Sequence, residues 1–281
     1  RGKYQSYMGL IANCGTLFAS VMNLIILPIA GWREVFVFCG ILGAVVVILV
    51  LTCMDESPRW LAMMGRNDQA DAIVTKLETK AAAGGKAVPE VTDEEIAARA
   101  AEQEVKQLPF SVLFKKSMIT RTLTAMFLCF VMNVLVYTII TWTPTILVAK
   151  GFDTSMSTLM TVVMQLGIPV GVGALTFYVE KVNRKTILIG SYLAVAILGP
   201  IWSLLPTDNT ALIMGFGFLV CVFTFTNSVT TAAIYLSEPF PTACRIRGAG
   251  LANAFGRVAG IVSPMWIAFF VASPIGTMGA Y

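Results

Sequence analysis

The chain has 281 residues, 57% hydrophobic and 13% charged, with a formal net charge of +4 and a mean hydropathy of +0.77. Soluble domains run near about a quarter charged residues, so this composition excludes that class and points to a membrane protein. No histidine and no Cys-x-x-Cys pair occur, which excludes histidine catalysis and the common zinc sites. No basic patch with interleaved aromatics speaks for nucleic acid.

A helix crossing ~30 Å of hydrocarbon needs about 20 apolar residues. Stretches free of Asp, Glu, Lys and Arg run over 4–32, 35–54, 122–149, 154–179, 186–207 and 209–237, and a seventh, 248–271, carries only Arg257. An all-α integral membrane protein with about seven transmembrane helices is expected. Its six scattered cysteines, Cys14, Cys39, Cys53, Cys129, Cys221 and Cys244, read as small hydrophobes. Neither a metal nor a cofactor is expected. Arg1 in place of an initiator methionine, and an end shortly after an apolar run, predict a fragment cut at both ends.

Residues 54–117 are the one strongly polar stretch, too charged to cross a bilayer. Ser57 is placed to cap a helix with Pro58 at its first position, where a missing N–H costs nothing. Gly65-Arg66-Asn67 is expected to break that helix, and Asp68 to cap a second through about Thr79 with Ala70, Ile73, Val74 and Leu77 on one face. Residues 83–89 read as flexible. Thr92-Asp93-Glu94-Glu95 forms a capping box, with Val91 and Ile96 placed to staple it.

Cations set the orientation. Arg1 and Lys3, the linker, Lys181-Arg184-Lys185 and Arg245-Arg247 fall on alternate gaps, whereas the opposite gaps hold only Arg33 and Lys150. The positive-inside rule then puts the N-terminus of the chain, the linker and the turns at 180–185 and 238–247 in the cytoplasm.

Within the spans, Pro28, Pro144, Gly167-Ile168-Pro169-Val170-Gly171 and Gly199-Pro200 weaken helices. Such breaks are tolerated in a bilayer when neighbours or a wet cavity satisfy the freed backbone. Close helix packing accounts for most of them, and a hinge or cavity wall is the sharper reading of the Gly167 run. Polar side chains facing lipid are expensive, so intramembrane polar groups face a bundle interior or a wet path. The candidates for substrate binding are Asn133 and Tyr137, four apart on one helix face, with Gln165, Asn227 and Arg257. Asn13, Asn23 and Asn253 are the other intramembrane amides. For each amide, an interhelical hydrogen bond is the plain alternative. Arg257 lies ten residues beyond Arg247, about 15 Å along a helix, where a lone guanidinium costs ~2.5–3.5 kcal/mol even on the lenient insertion scale. No acid in the chain sits at that depth. A bound organic anion, or an acid elsewhere, would account for it. So would a span starting at Val258, which leaves Arg257 at the interface.

At the cytoplasmic helix ends, Glu56 with Arg59, Glu180 with Arg184 and Lys185, and Glu238 with Arg245 and Arg247 are candidates for a gate latch. The competing reading is exposed topology charges, each worth little.

These residues carry a resemblance. Glu56-Ser57-Pro58-Arg59-Trp60-Leu61 followed by Gly65-Arg66 resembles the Pro-Glu-Ser-Pro-Arg-Trp-Leu…Gly-Arg signature after the sixth helix of major facilitator transporters, with Asp55 in place of the first proline. Glu180-Lys181-Val182-Asn183-Arg184-Lys185 is similar to their Asp-x-x-Gly-Arg-Lys turn between helices 8 and 9, with Glu for Asp and Asn for Gly. Glu238-Pro239-Phe240-Pro241-Thr242 with Arg245 resembles their Glu-x-x-Pro-Thr-x-x-Arg segment between helices 10 and 11. Arg1-Gly2 resembles the arginine after helix 4.

The resemblance implies a partial major facilitator fold covering helices 5–11: residues 1–53 ending the N-terminal bundle, 54–117 a cytoplasmic linker, and 118–281 the C-terminal bundle. Trp142-Thr143-Pro144-Thr145 and Gly256-Arg257 look more like the aromatic-acid and organic-ion branches, including nicotinate-type permeases, than like the hexose porters. The implied function is secondary transport of a small organic acid by alternating access, coupled to protons, in a plasma or inner membrane. The alternatives are a sugar or polyol:proton symporter and a non-transporting sensor. An enzyme would need a catalytic base or metal ligands inside the spans, and the spans hold no carboxylate pair; no catalytic residue is expected.

Overall fold

The structure is a computed structural model that describes residues 2–83 and 109–272. The capping box at Thr92 and the stretch 84–89 lie outside the described residues. Packing divides the chain into two units, one of Ala30–Lys106 and one of Arg1–Ile29 with Gln107–Tyr281.

In the first of these, α2 (Trp32–Cys53) has no buried residue. Its 22 residues reach about 33 Å and present Phe36, Val37, Ile41, Val47, Ile48 and Leu51 as exposed side chains. Water would not tolerate such a surface, and hydrocarbon would. After an unstructured turn, α3 (Pro58–Met63) starts with Pro58 behind the N-cap Ser57. Its end is a Schellman closure: Gly65, at φ +75°, donates to the Ala62 carbonyl at 3.1 Å while Arg66 donates to the Leu61 carbonyl at 2.9 Å. Glycine takes that left-handed position without a Cβ penalty. α4 (Asn67–Ala83) begins at Asn67, so Asp68 sits inside the first turn rather than capping it. The helix also runs four residues beyond Thr79. α3 and α4 pack on each other with Leu61 and Ala70 buried.

The larger unit contains α1 (Gly2–Ile29), α5 (Ile119–Tyr137), α6 (Thr143–Ala149), α7 (Thr154–Gln165), α8 (Gly167–Tyr178), α9 (Arg184–Leu204), α10 (Thr210–Val229) and α11 (Arg245–Ala272). Among the described residues, six continuous helical stretches are long and apolar enough to cross a membrane: Tyr4–Ile29, Trp32–Cys53, Ile119–Ala149, Thr154–Tyr178, Arg184–Leu204 and Thr210–Ile234. α11 is not among these six. Its 28 residues include Arg245, Arg247 and Arg257, and its length alone would suffice to span.

Two spans contain a π-helical turn, Thr138–Trp142 after α5 and Thr230–Ile234 after α10. The first precedes Pro144, which cannot donate to the Ile140 carbonyl as a helix requires. Pro169 has the same effect on Gln165, where the chain turns at Leu166 between α7 and α8. Such turns recur at functional sites in helices.

The seam between α8 and α10 explains the Gly167 run. A Cβ on Gly167 would lie 2.4 Å from the Phe218 carbonyl oxygen, and one on Gly171 would lie 2.3 Å from that of Val222. Both glycines are where two backbones touch, as small residues allow in membrane helix pairs. Gly173 faces open space. Gly9 of α1 meets Val229 in the same unit. Where α10 leads into α11, buried Phe240 fills the space beside Gly248, whose Cβ would lie 2.5 Å from the ring. Leu113, Met118, Leu236 and Cys244 close the cluster around it.

Candidate functional site

α5 and α11 form the most extensive helix pair of the larger unit, and their sequences show why. Cys129, Asn133 and Tyr137 recur every four residues on α5, and Gly256 and Gly260 are four apart on α11, so the side chains of one row lie over the bare backbone of the other. A Cβ at Gly256 would meet Asn133 Nδ2 at 2.8 Å and the Cys129 carbonyl oxygen at 3.1 Å. Asn133 is buried, and its amide donates to the Cys129 carbonyl at 2.8 Å. Farther along the seam, Arg257 Nη1 donates to the Tyr137 hydroxyl at 3.2 Å. Arg257 is exposed at this point and Tyr137 half-buried. The Phe130 and Phe255 rings meet at a tilt of 43° with centroids 5.8 Å apart.

Three of the five expected site residues, Asn133, Tyr137 and Arg257, therefore fall on one helix pair. Gln165 and Asn227 do not join them. Gln165 is 1% exposed and lines a narrow void with Thr143, Thr161, Met164, Trp202 and Cys221, which leaves no room for a water molecule. Its Oε1 and the Thr143 hydroxyl have no hydrogen-bond partner there. Asn227 is fully buried. Its Oδ1 accepts from Thr231 at 3.1 Å, and its Nδ2 has no partner. The Tyr192 hydroxyl, which donates to the Leu128 carbonyl at 3.2 Å, faces the same two side chains.

Sequence reasoning missed Tyr192, Thr231 and Gly260, and took Gly256 only as part of a motif. Spacing offered a signal for two sets: Thr224 and Asn227 of α10 and Thr231 of the π-helical turn after it stand at i, i+3 and i+7, and Gly256-x-x-x-Gly260 matches the Asn133–Tyr137 interval. A groove of about 580 Å³, lined by Leu128, Lys185, Leu188, Tyr192 and Tyr235 among others, is largely apolar.

Among the expected gate residues, Arg184 and Glu238 form an ion pair. It ties the start of α9 to the segment between α10 and α11, both inside the larger unit. Arg245 Nε donates to the Phe240 carbonyl at 3.4 Å, and Glu180, Arg245 and Arg247 each have further partners. Lys185 is exposed. In the other unit Glu56 and Arg59 are exposed. There the close ion pair is Asp55 with Lys76, at 2.7 Å. The hydrogen bond and charge of Lys76 hold the Asp55 carboxyl below its usual range.

Comparison with known proteins fits this arrangement. The family model described as sugar (and other) transporter matches residues 1–281. The chain belongs to that family. The resemblance to major facilitator transporters read from the motifs is thereby confirmed, and the family is one of multi-pass membrane transporters. The inner membrane metabolite transport protein YdjE of Escherichia coli (strain K12) is 31% identical over 273 residues, 95% of this chain and 58% of its own length. The niacin transporter NiaP of Acinetobacter baylyi is 28% identical over 271 residues, 94% of this chain and 58% of its own. The 4-hydroxybenzoate transporter PcaK of the same organism is 24% identical over 257 residues, 91% of this chain and 54% of its own. The chain thus spans a little over half the length of these relatives.

Proposed function

We propose that this chain is part of a secondary transporter that carries a small organic acid across the membrane by alternating access, with Arg257 and Tyr137 holding the substrate carboxylate. The observation that carries the proposal is the hydrogen bond from Arg257 to Tyr137 on two helices, α5 and α11, that hold no carboxylate to neutralise the arginine. A guanidinium is a fixed fork of five donors that suits a carboxylate. Among the described residues its hydrogen-bond partner is a hydroxyl, so it keeps its charge and donors available for an incoming anion. Niacin and 4-hydroxybenzoate, named for two relatives, each pair one carboxylate with a flat ring, which suits a site that offers the Arg257 guanidinium beside the Tyr137 ring. Asn133 is the next polar group along the same seam. Gln165 and Asn227 would act from within the bundle.

On this reading the linker and the turns at 180–185 and 238–247 are cytoplasmic, in keeping with their lysines and arginines. The Arg184–Glu238 pair, with Glu180, Lys185, Arg245 and Arg247 around it, and Glu56 and Arg59 at the linker, would hold the cytoplasmic side closed in one state of the cycle. Proton symport is the coupling we favour, on the motif resemblance. The test is uptake of radiolabelled nicotinate and 4-hydroxybenzoate by proteoliposomes with and without an inward proton gradient. Uptake that is abolished by Arg257→Ala and stimulated by the gradient is expected. Uptake of either acid at wild-type rate by Arg257→Ala would remove the arginine from the site.

A further inference from the structure

We infer that Gly260 is a positioning residue for the anion site: its missing side chain sets where the Tyr137 hydroxyl stands and thereby what Arg257 offers to substrate. The inference rests on the reading that Arg257 and Tyr137 hold a carboxylate.

The geometry is specific to the far end of the ring. A Cβ on residue 260 would lie 3.2 Å from Tyr137 Cε2, 3.3 Å from Cζ and 3.5 Å from the hydroxyl oxygen. Contacts of 3.2–3.3 Å to a methyl group are tighter than carbon atoms tolerate at rest, where ~3.5–4.0 Å is optimal. The hydroxyl-bearing edge must therefore give by a few tenths of an ångström. The Arg257–Tyr137 bond has no such slack. At 3.2 Å it already sits at the long limit for an N–H···O hydrogen bond, ~2.7–3.2 Å. One methyl group at residue 260, without touching Arg257, would detach the hydroxyl from the guanidinium or turn it to a new angle.

The other glycines of α11 make different contacts. A Cβ at Gly256 meets backbone of α5 as well as Asn133, so Gly256 sets how closely the helices approach. A Cβ at Gly250 meets nothing within 4 Å. A Cβ at Gly248 meets the Phe240 ring, so among the glycines of α11 it is at Gly260 that the nearest atoms belong to Tyr137.

The experiment is a double-mutant cycle in the whole protein, reconstituted in proteoliposomes, with nicotinate and 4-hydroxybenzoate as probes and their uncharged amides as controls. Gly260→Ala, Tyr137→Phe, the double variant and Gly250→Ala are compared for KM and kcat of uptake. Alanine is the stronger helix former, so α11 keeps its backbone. Gly260→Ser provides a second variant should the first not accumulate in the membrane. Gly260→Ala is expected to raise the KM for the acids about tenfold, the size of one charge-assisted hydrogen bond. It should leave kcat nearly unchanged, do nothing to any uptake of the amides, and add nothing on top of Tyr137→Phe. Gly250→Ala should behave as wild type. An unchanged KM, or a Gly260→Ala loss of equal size in the Tyr137→Phe background, overturns the inference while leaving the site reading intact. If neither acid is taken up by the wild type, or if Arg257→Ala transports both normally, the site reading fails and this inference with it.

Discussion

A Cβ added to Gly171 would stand 2.3 Å from the carbonyl oxygen of Val222, so α8 and α10 meet backbone to backbone at this point. Gly171→Ala must push the two helices apart, because the nearest obstacle is backbone, which cannot move aside as a side chain can. A loss of stability of about 1–3 kcal/mol is expected from such overpacking. Gly173, two residues away with open space around its Cβ position, should be neutral or slightly stabilised by alanine. Thermal unfolding in detergent of both variants checks this pair of outcomes. Equal stability of the two would mean that the seam is looser than described.

Gln165 gives the opposite expectation for a buried polar group. Its Oε1 is unpartnered in a void too narrow for water, and replacing an unsatisfied group by an apolar one of similar shape is nearly neutral or stabilising. Gln165→Met should keep or raise the melting temperature. Asn133→Leu should lower it, since Asn133 is hydrogen-bonded and packed against Gly256. A fall in both would show that Gln165 is paired in the protein in its membrane.

The Arg184–Glu238 pair joins two segments far apart in sequence, and both side chains remain partly exposed, at 41% and 38%. Exposed pairs contribute little, about 0–1 kcal/mol, so Glu238→Gln should barely change stability. If the pair serves a conformational equilibrium, the variant should shift cysteine accessibility on the cytoplasmic side and change transport rate. The charge-swapped double variant Arg184→Glu/Glu238→Arg should restore both more fully than either single change. Absence of any rescue would leave the pair as a topology feature only.

Asp55 and Lys76 set a pH dependence whose sign is fixed. Asp55 has its pKa lowered in the folded chain, chiefly by the hydrogen bond from Lys76. The stabilisation is therefore present above the ordinary carboxylate pKa and is lost as pH falls through the depressed value. Limited proteolysis of α4 should accelerate at acid pH in the wild type. It should also accelerate with added salt at neutral pH, because the pair is solvent-exposed. Lys76→Ala should remove both dependences, and a variant that retains them would place their origin elsewhere.

The helices were legible because a bilayer demands long apolar runs, and the run boundaries fall within a few residues of the observed ends. The linker helices were legible from Pro58 and Gly65, residues whose backbone limits leave little choice. The site was legible only in part. Arg257 and Tyr137 stood out separately, as a charge and a hydroxyl in apolar surroundings, but their meeting depends on the register of α5 against α11, which residue type does not encode. The same limit applies to the amides. Asn133, Gln165 and Asn227 look alike in sequence, yet one packs on glycine, one faces a dry void and one pairs with Thr231. Asp55 drew notice only as a departure from a motif proline, because its partner lies 21 residues onward.

α1 packs against α7, α8 and the π-helical turn Thr230–Ile234, all encoded well downstream of it. At ~5–20 residues per second, roughly 10–40 s of translation separate the emergence of Ile29 from that of Ile234. Throughout that interval α1 must wait in the lipid without these three neighbours, with Ser6 and Asn13 kept from the contacts that they later supply. Its assembly is a late, long-range event, and the cell's insertion and quality-control machinery has the whole of that time in which to act on it.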